Sequence, residues 1–188
     1  MEPIIVCLVV AGFLLVPVVW FVATYNRIQG VRQHMKESWS GVDVELKRRH
    51  DLVPNLVNTV KGYAAHEREI FERIAELRSQ AVSTTARGGE KSAVEGELGK
   101  VMQRLIAVAE SYPELKADRN FLELQKELAL TEDRIAAGRR FFNANVRELN
   151  TLATTFPSNL VAGMVGVRPE TFFELDSPLE RARPDVAV

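Results

Sequence analysis

Histidines, clustered carboxylates and glycine-rich turns are the features of this 188-residue chain that could do chemistry. Helical proteins build two-metal sites from Glu-x-x-His motifs. The histidines are His34, His50 and His66, and the residues three before them are Val31, Lys47 and Tyr63. None is a carboxylate, so that site lacks its ligands. His66-Glu67 begins like a zinc-protease motif, but Ile70 stands where the second histidine belongs. Gly88-Gly89-Glu90-Lys91-Ser92 has the glycines of a phosphate loop without the Gly-Lys-Ser order or a preceding strand. It reads as a helix-linking turn. Cys7 is the sole cysteine, so there is no intrachain disulfide and no thiol nucleophile outside the apolar N-terminal run. No serine or carboxylate arrangement defines a triad or a paired acid and base. The expectation is a non-enzymatic protein without catalytic residues, cofactor or metal.

One polar constellation remains. Asp51, Asn55, Asn58 and Glu67 punctuate the run DLVPNLVNTVKGYAAHE. They could form a patch that faces a partner. The alternative, favoured here, is structural: Pro54 kinks a helix, Asp51 or Asn55 satisfies the backbone groups that the kink frees, and Tyr63 fills the core.

The elements that must position these residues begin with Ile4–Ala23, twenty residues without a charge. That matches the roughly 20 helical residues needed to cross a bilayer. A cleaved signal would need a basic leader and a small-x-small site, and Met1-Glu2-Pro3 and Phe21-Val22-Ala23 supply neither. The expectation is an uncleaved, single-pass anchor over residues 1–24, contacting the lipid bilayer through residues 4–23. Trp20 and Tyr25 suit its interfacial end. Arg27, Arg32 and Lys36 follow the run, which places the N-terminus outside and the rest of the chain in the cytoplasm.

Beyond Tyr25 the chain carries 24 Lys and Arg against 24 of its 25 Asp and Glu, a neutral balance that argues against nucleic acid. Helix-forming residues dominate and strand alternation is absent. Every seventh residue from Ile28 gives Ile28, Met35, Val42, Arg49, Leu56, Tyr63, Ile70 and Leu77; the companion row includes Trp39, Leu46, Val53, Val60, Ile74 and Ala81. Such a repeat marks a helix packed in a bundle. It predicts one helix from Tyr25 to Thr85, kinked near Pro54. A split there, with Asp51 as cap, is the competing reading.

A second helix presents Val94, Leu98, Val101, Leu105, Val108 and Tyr112 on one face. A third, capped by Asn120, repeats Phe121, Leu128, Ile135, Phe142, Leu149 and Phe156 at intervals of seven. Ser158 caps a short fourth through Val165. The fold class expected is therefore all-α: an N-terminal transmembrane helix followed by an antiparallel up-and-down helical bundle of three long helices and a short fourth, over residues 25–175. The second helix is too short to cover the first, so part of the first should project as a stalk. Its seam of Met35, Trp39 and Val42 then needs cover, and a second copy of the chain is the expected cover. Residues 176–188, with Pro178 and Pro184, are expected to form a disordered tail.

Several of these stretches resemble the LemA family: Asp51–Glu67, YPELKA at Tyr112–Ala117, LQKELALTEDRI at Leu124–Ile135, RRFFNANV at Arg139–Val146 and FPSNLVA at Phe156–Ala162. Phe142-Asn143 and Leu149-Asn150 stand where that family more often has Tyr-Asn. The resemblance implies a bacterial inner-membrane protein with a cytoplasmic four-helix bundle, counting the short helix as the fourth. It also implies links to membrane organisation or to membrane proteases.

The reading that follows is a membrane-anchored scaffold or interaction protein that self-associates and binds another membrane protein. The second reading is a membrane-shaping or lipid-contacting protein, with Leu160, Met164, Phe172 and Phe173 touching the bilayer or a neighbour.

Overall fold

The computed structural model describes residues 2–85 and 87–174; within the first helix the side chains of Glu2 and residues 4–11 are not described. Six helices follow in order: α1 (Glu2–Lys61), α2 (Arg68–Ser83), α3 (Gly89–Ala109), α4 (Pro113–Lys116), α5 (Arg119–Thr154) and α6 (Ser158–Met164). Among the described residues there is no strand, as the missing alternation requires.

α1 has 60 residues and runs unbroken through Pro17 and Pro54, giving a rod of about 90 Å. It stops at Lys61, not at Thr85. Gly62 and Tyr63 turn the chain, with the amides of Tyr63 and Ala64 both on the Val60 carbonyl. The second half of the expected first helix is thus a separate element, α2, running back antiparallel to α1. The repeat continues across the break because the six-residue connection, Gly62 to Glu67, causes no slip in the phase of the apolar rows. Tyr63 lies exposed in this turn, outside the core expected for it.

Pro54 lacks the N–H that would bond the His50 carbonyl one turn earlier. Arg78 of α2 supplies the replacement, its Nε donating to that carbonyl at 2.7 Å. The partner of the freed group is therefore Arg78, not Asp51 or Asn55.

The distal half of the molecule is an up-down-up-down bundle of α1, α2, α3 and α5. Its core joins Val53, Leu56 and Val60 of α1 to Phe71, Ile74 and Leu77 of α2, Leu98, Met102 and Leu105 of α3, and Phe121 and Leu128 of α5. The fourth long helix is therefore α2, and α6 is not a bundle member. Asp118, rather than Asn120, caps α5, its Oδ1 accepting from the Phe121 amide at 2.9 Å. Ser158 does not cap α6; its hydroxyl donates to the Thr155 carbonyl.

In the proximal half α5 runs back along α1 for the full length of the expected stalk. Trp39, Val42 and Leu46 pack on Ile135, Phe142 and Val146. Ile28 and Val31 pack on Leu149 and Leu152, with Val161 and Ala162 of α6 closing the cluster. A Cβ on Gly138 would come within 2.9 Å of Val42 Cγ2, so the missing side chain permits the close approach of α5 to α1. Trp39 is 7% exposed and Val42 is fully buried within one chain. The expected need for a second copy over this seam is corrected: α5 and the segment after α6 cover it.

Among the described residues no helix is long and apolar enough to cross a membrane. The expected span at Ile4–Ala23 draws on residues 4–11, whose side chains lie outside the described set. The expected tail, residues 176–188, also lies outside it.

Replacing Arg78 with Leu is expected to destabilise the chain by about 1–3 kcal/mol, because the His50 carbonyl then loses its partner. In a Pro54→Ala background the same change should have less effect, since residue 54 regains its amide. Urea denaturation of the double-mutant cycle measures the difference; equal losses in both backgrounds would refute the pairing.

Candidate functional site

The two largest polar surprises are charged groups inside the bundle. Arg49 of α1 is 1% exposed and Glu95 of α3 is fully buried. Arg49 donates through Nη2 to Glu95 Oε2 and through Nη1 to Glu132 of α5 at 2.9 Å. His50 Nε2 lies 3.0 Å from Glu95 Oε1. An ionised carboxylate can only accept, so His50 carries its proton on Nε2. One arginine thereby ties three helices together. Burial alone would raise the Glu95 carboxyl, but the His50 hydrogen bond and the Arg49 charge outweigh it and hold Glu95 below the usual carboxylate range. Burial likewise works against the Arg49 charge, and Glu132 and Glu95 overcome it. A separate pair stands at the start of α3, where Lys91 lies 3.5 Å from Asp43 Oδ1 and 3.3 Å from the Thr84 carbonyl.

A second site lies where the chain beyond α6 turns back along α1 and α5. Two asparagines of α5, seven residues apart, clamp it. Asn150 donates to the Glu170 carbonyl at 2.9 Å and accepts from the Glu170 amide at 2.8 Å. Asn143 does the same for Phe173, at 3.0 and 2.9 Å. At the last described residue of the strap, the Glu174 amide donates to Ser92 Oγ. Its Phe173 ring is fully buried, edge-on to Trp39 at 5.3 Å, while Phe142 tilts against Trp39 at 5.1 Å. Gly88 accommodates the strap: its φ is 72°, and a Cβ there would meet Thr171 Oγ1 at 2.5 Å.

The expected site residues are therefore divided. Trp39 and Val42 are core, and Met35 is half-buried beside them. Phe173 is a core plug and Phe172 is half-buried, so neither forms a free contact face as expected. Asp51, Asn55 and Asn58 share one exposed face of α1, while Glu67 stands beyond the Gly62 turn. Leu160 and Met164 are exposed on α6. Sequence reasoning missed Glu95 and Arg49 as partners. Arg49 was visible as the one charged residue in the first apolar row.

The geometry offers a bundle cross-tied from within by the Arg49 network and by the asparagine clamps on the strap. The LemA family model matches residues 38–187, and the chain belongs to that family. It is similar to magnetosome protein MamQ 2 of Paramagnetospirillum magneticum, 27% identical over 84% of this chain and 68% of that protein. It is also similar to magnetosome protein MamQ of Magnetospirillum gryphiswaldense, at 26% identity over 79% of this chain and 64% of the relative. Protein LemA of Metamycoplasma hominis is 23% identical over 89% and 76%.

Glu95→Leu is expected to destabilise the fold by about 3–5 kcal/mol, because Arg49 keeps a buried charge with half its compensation removed. Adding Arg49→Met should restore much of that loss. Because the folded-state carboxyl of Glu95 lies below its unfolded value, its contribution is present above the ordinary carboxylate range and fades as pH falls through the folded value. Stability measured against pH should therefore show an acid limb that Glu95→Gln flattens.

Proposed function

We infer that this chain is a non-enzymatic scaffold tethered to the bacterial inner membrane, with its N-terminus outside and its bundle in the cytoplasm. The observation that carries the reading is the exposed apolar surface on α1. Phe13, Leu14, Leu15, Val16, Val18, Val19 and Val22 are all at least half exposed, and the same helix continues without a break into the ion network at Arg49. An apolar face exposed to this extent needs a cover, and hydrocarbon covers all sides of a helix at once. The sequence Ile4–Ala23 has the required length and lack of charge. The similarity to proteins named for the magnetosome supports an association with a subcellular structure.

Self-association belongs to the same proposal, but the burial of Trp39 and Val42 moves it to the apolar stretch of α1. A further membrane protein would meet the face of Asp51, Asn55 and Asn58, which is solvent-exposed and not needed to satisfy the proline-freed carbonyl.

Native mass in a mild detergent tests the assembly. The full chain should be a defined oligomer and residues 25–188 a monomer; an oligomer that persists without the apolar run would place assembly on the bundle instead. An impermeant thiol reagent tests orientation on Cys7→Ser chains carrying an engineered cysteine at Asn58. Intact cells should leave it unlabelled and lysed cells should label it; labelling in intact cells would overturn the cytoplasmic placement.

A further inference from the structure

α6 is seven residues long and uses its inner face for packing. Val161 and Ala162 are buried on Ile28 and Val31 of α1. That fixes the outward direction of Leu160 and Met164, which are 58% and 78% exposed, and Phe156, in the turn before α6, is 75% exposed. At this end of the molecule, then, three large apolar side chains stand uncovered by any described residue.

Its position in the molecule identifies what covers it. The antiparallel register, set by Arg27 on Glu148 and by Gly138 against Val42, brings the end of α5 beside the end of the apolar run of α1. Phe156 leaves the bundle there. α6 then packs against Ile28 and Val31, five and eight residues past Ala23, which is about 8–12 Å along the helix. The headgroup layer occupies about 5–8 Å on each side of the hydrocarbon core, so α6 packs at its outer edge, from which an interfacial helix can sink its apolar face about 5–10 Å into the boundary. Trp20 and Tyr25, both partly exposed, mark the same level. Arg168, exposed just past α6, and Arg32, exposed on α1 next to Val31, suit anionic headgroups.

We propose that Phe156, Leu160 and Met164 form an interfacial foot that rests in the headgroup layer of the bilayer and holds the bundle at a fixed height and tilt. This rests on the tethered reading above. The foot explains why α6 exists apart from the bundle: it props the α1–α5 pair against the membrane from the side. Only part of the expected lipid-contacting surface takes part, because Phe173 is committed to the core.

The test uses the full chain with Cys7→Ser, reconstituted into phosphatidylcholine vesicles containing phosphatidylglycerol. Single cysteines at Leu160 and Met164 carry an environment-sensitive fluorophore. A cysteine at Phe141, exposed on the middle of α5, is the aqueous reference, and one at Val19 reports the tether. Spin-labelled lipids with shallow nitroxides should quench the labels at 160 and 164 several-fold more than the label at 141, with blue-shifted emission. Deep nitroxides should quench the label at 19. Quenching at 19 with no excess at 160 and 164 overturns the foot and leaves the tether standing. Loss of quenching at 19 overturns the tethered reading itself. A blue shift at 160 and 164 without lipid quenching assigns the face to a second copy and also overturns the proposal.

Discussion

A guanidinium closed off from water imposes more on this fold than any other group. Arg49 reaches Glu95 on α3 and Glu132 on α5 at once, and a buried charge that loses a partner is strongly destabilising. Those three helices therefore have one axial register in which all the charges are answered. Apolar rows alone would tolerate a slip of one heptad, since each row repeats itself every seven residues. The arginine does not repeat. We read the network as the device that converts a set of interchangeable seams into one arrangement.

Around that fixed point the two halves of the molecule are built differently. The distal half is a conventional four-helix arrangement whose core is aliphatic. The proximal half has only two long helices, which cannot bury both of their apolar stripes against each other. The chain completes this half with α6 and the strap. The strap is extended, so its backbone polar groups need partners outside itself. Asn143 and Asn150 provide them in the way a neighbouring strand would, with one donor and one acceptor each. A side-chain amide offers a donor and an acceptor from one planar group, as a peptide unit does.

Much of this was legible in the residues. The rows beginning at Ile28 and Phe121 named Ile28, Val42, Leu56, Leu128, Ile135, Phe142 and Leu149, and all are buried. The same regularity concealed the turn at Gly62, because a connection that restores the phase leaves no trace in a periodic count. Gly62 itself was the available signal. The partner of the Pro54-freed carbonyl could not be read, since Arg78 becomes a neighbour only after the chain has turned back. Glu95 was hidden for a related reason: a glutamate on a helix is ordinarily solvated, and only the arrival of Arg49 and His50 from α1 makes its burial tolerable.

The continuity of α1 gives the molecule a mechanical property. From Ala23 to Lys61 the helix extends about 57 Å, and it is clamped to α5 along most of that distance. Such a rod is a lever. Rocking its apolar end through ten degrees sweeps the far turn at Gly62 through about 10 Å, since the helix continues over that whole span. In the tethered reading proposed above, a change of bilayer thickness or curvature at the apolar end would be magnified into displacement at the opposite tip.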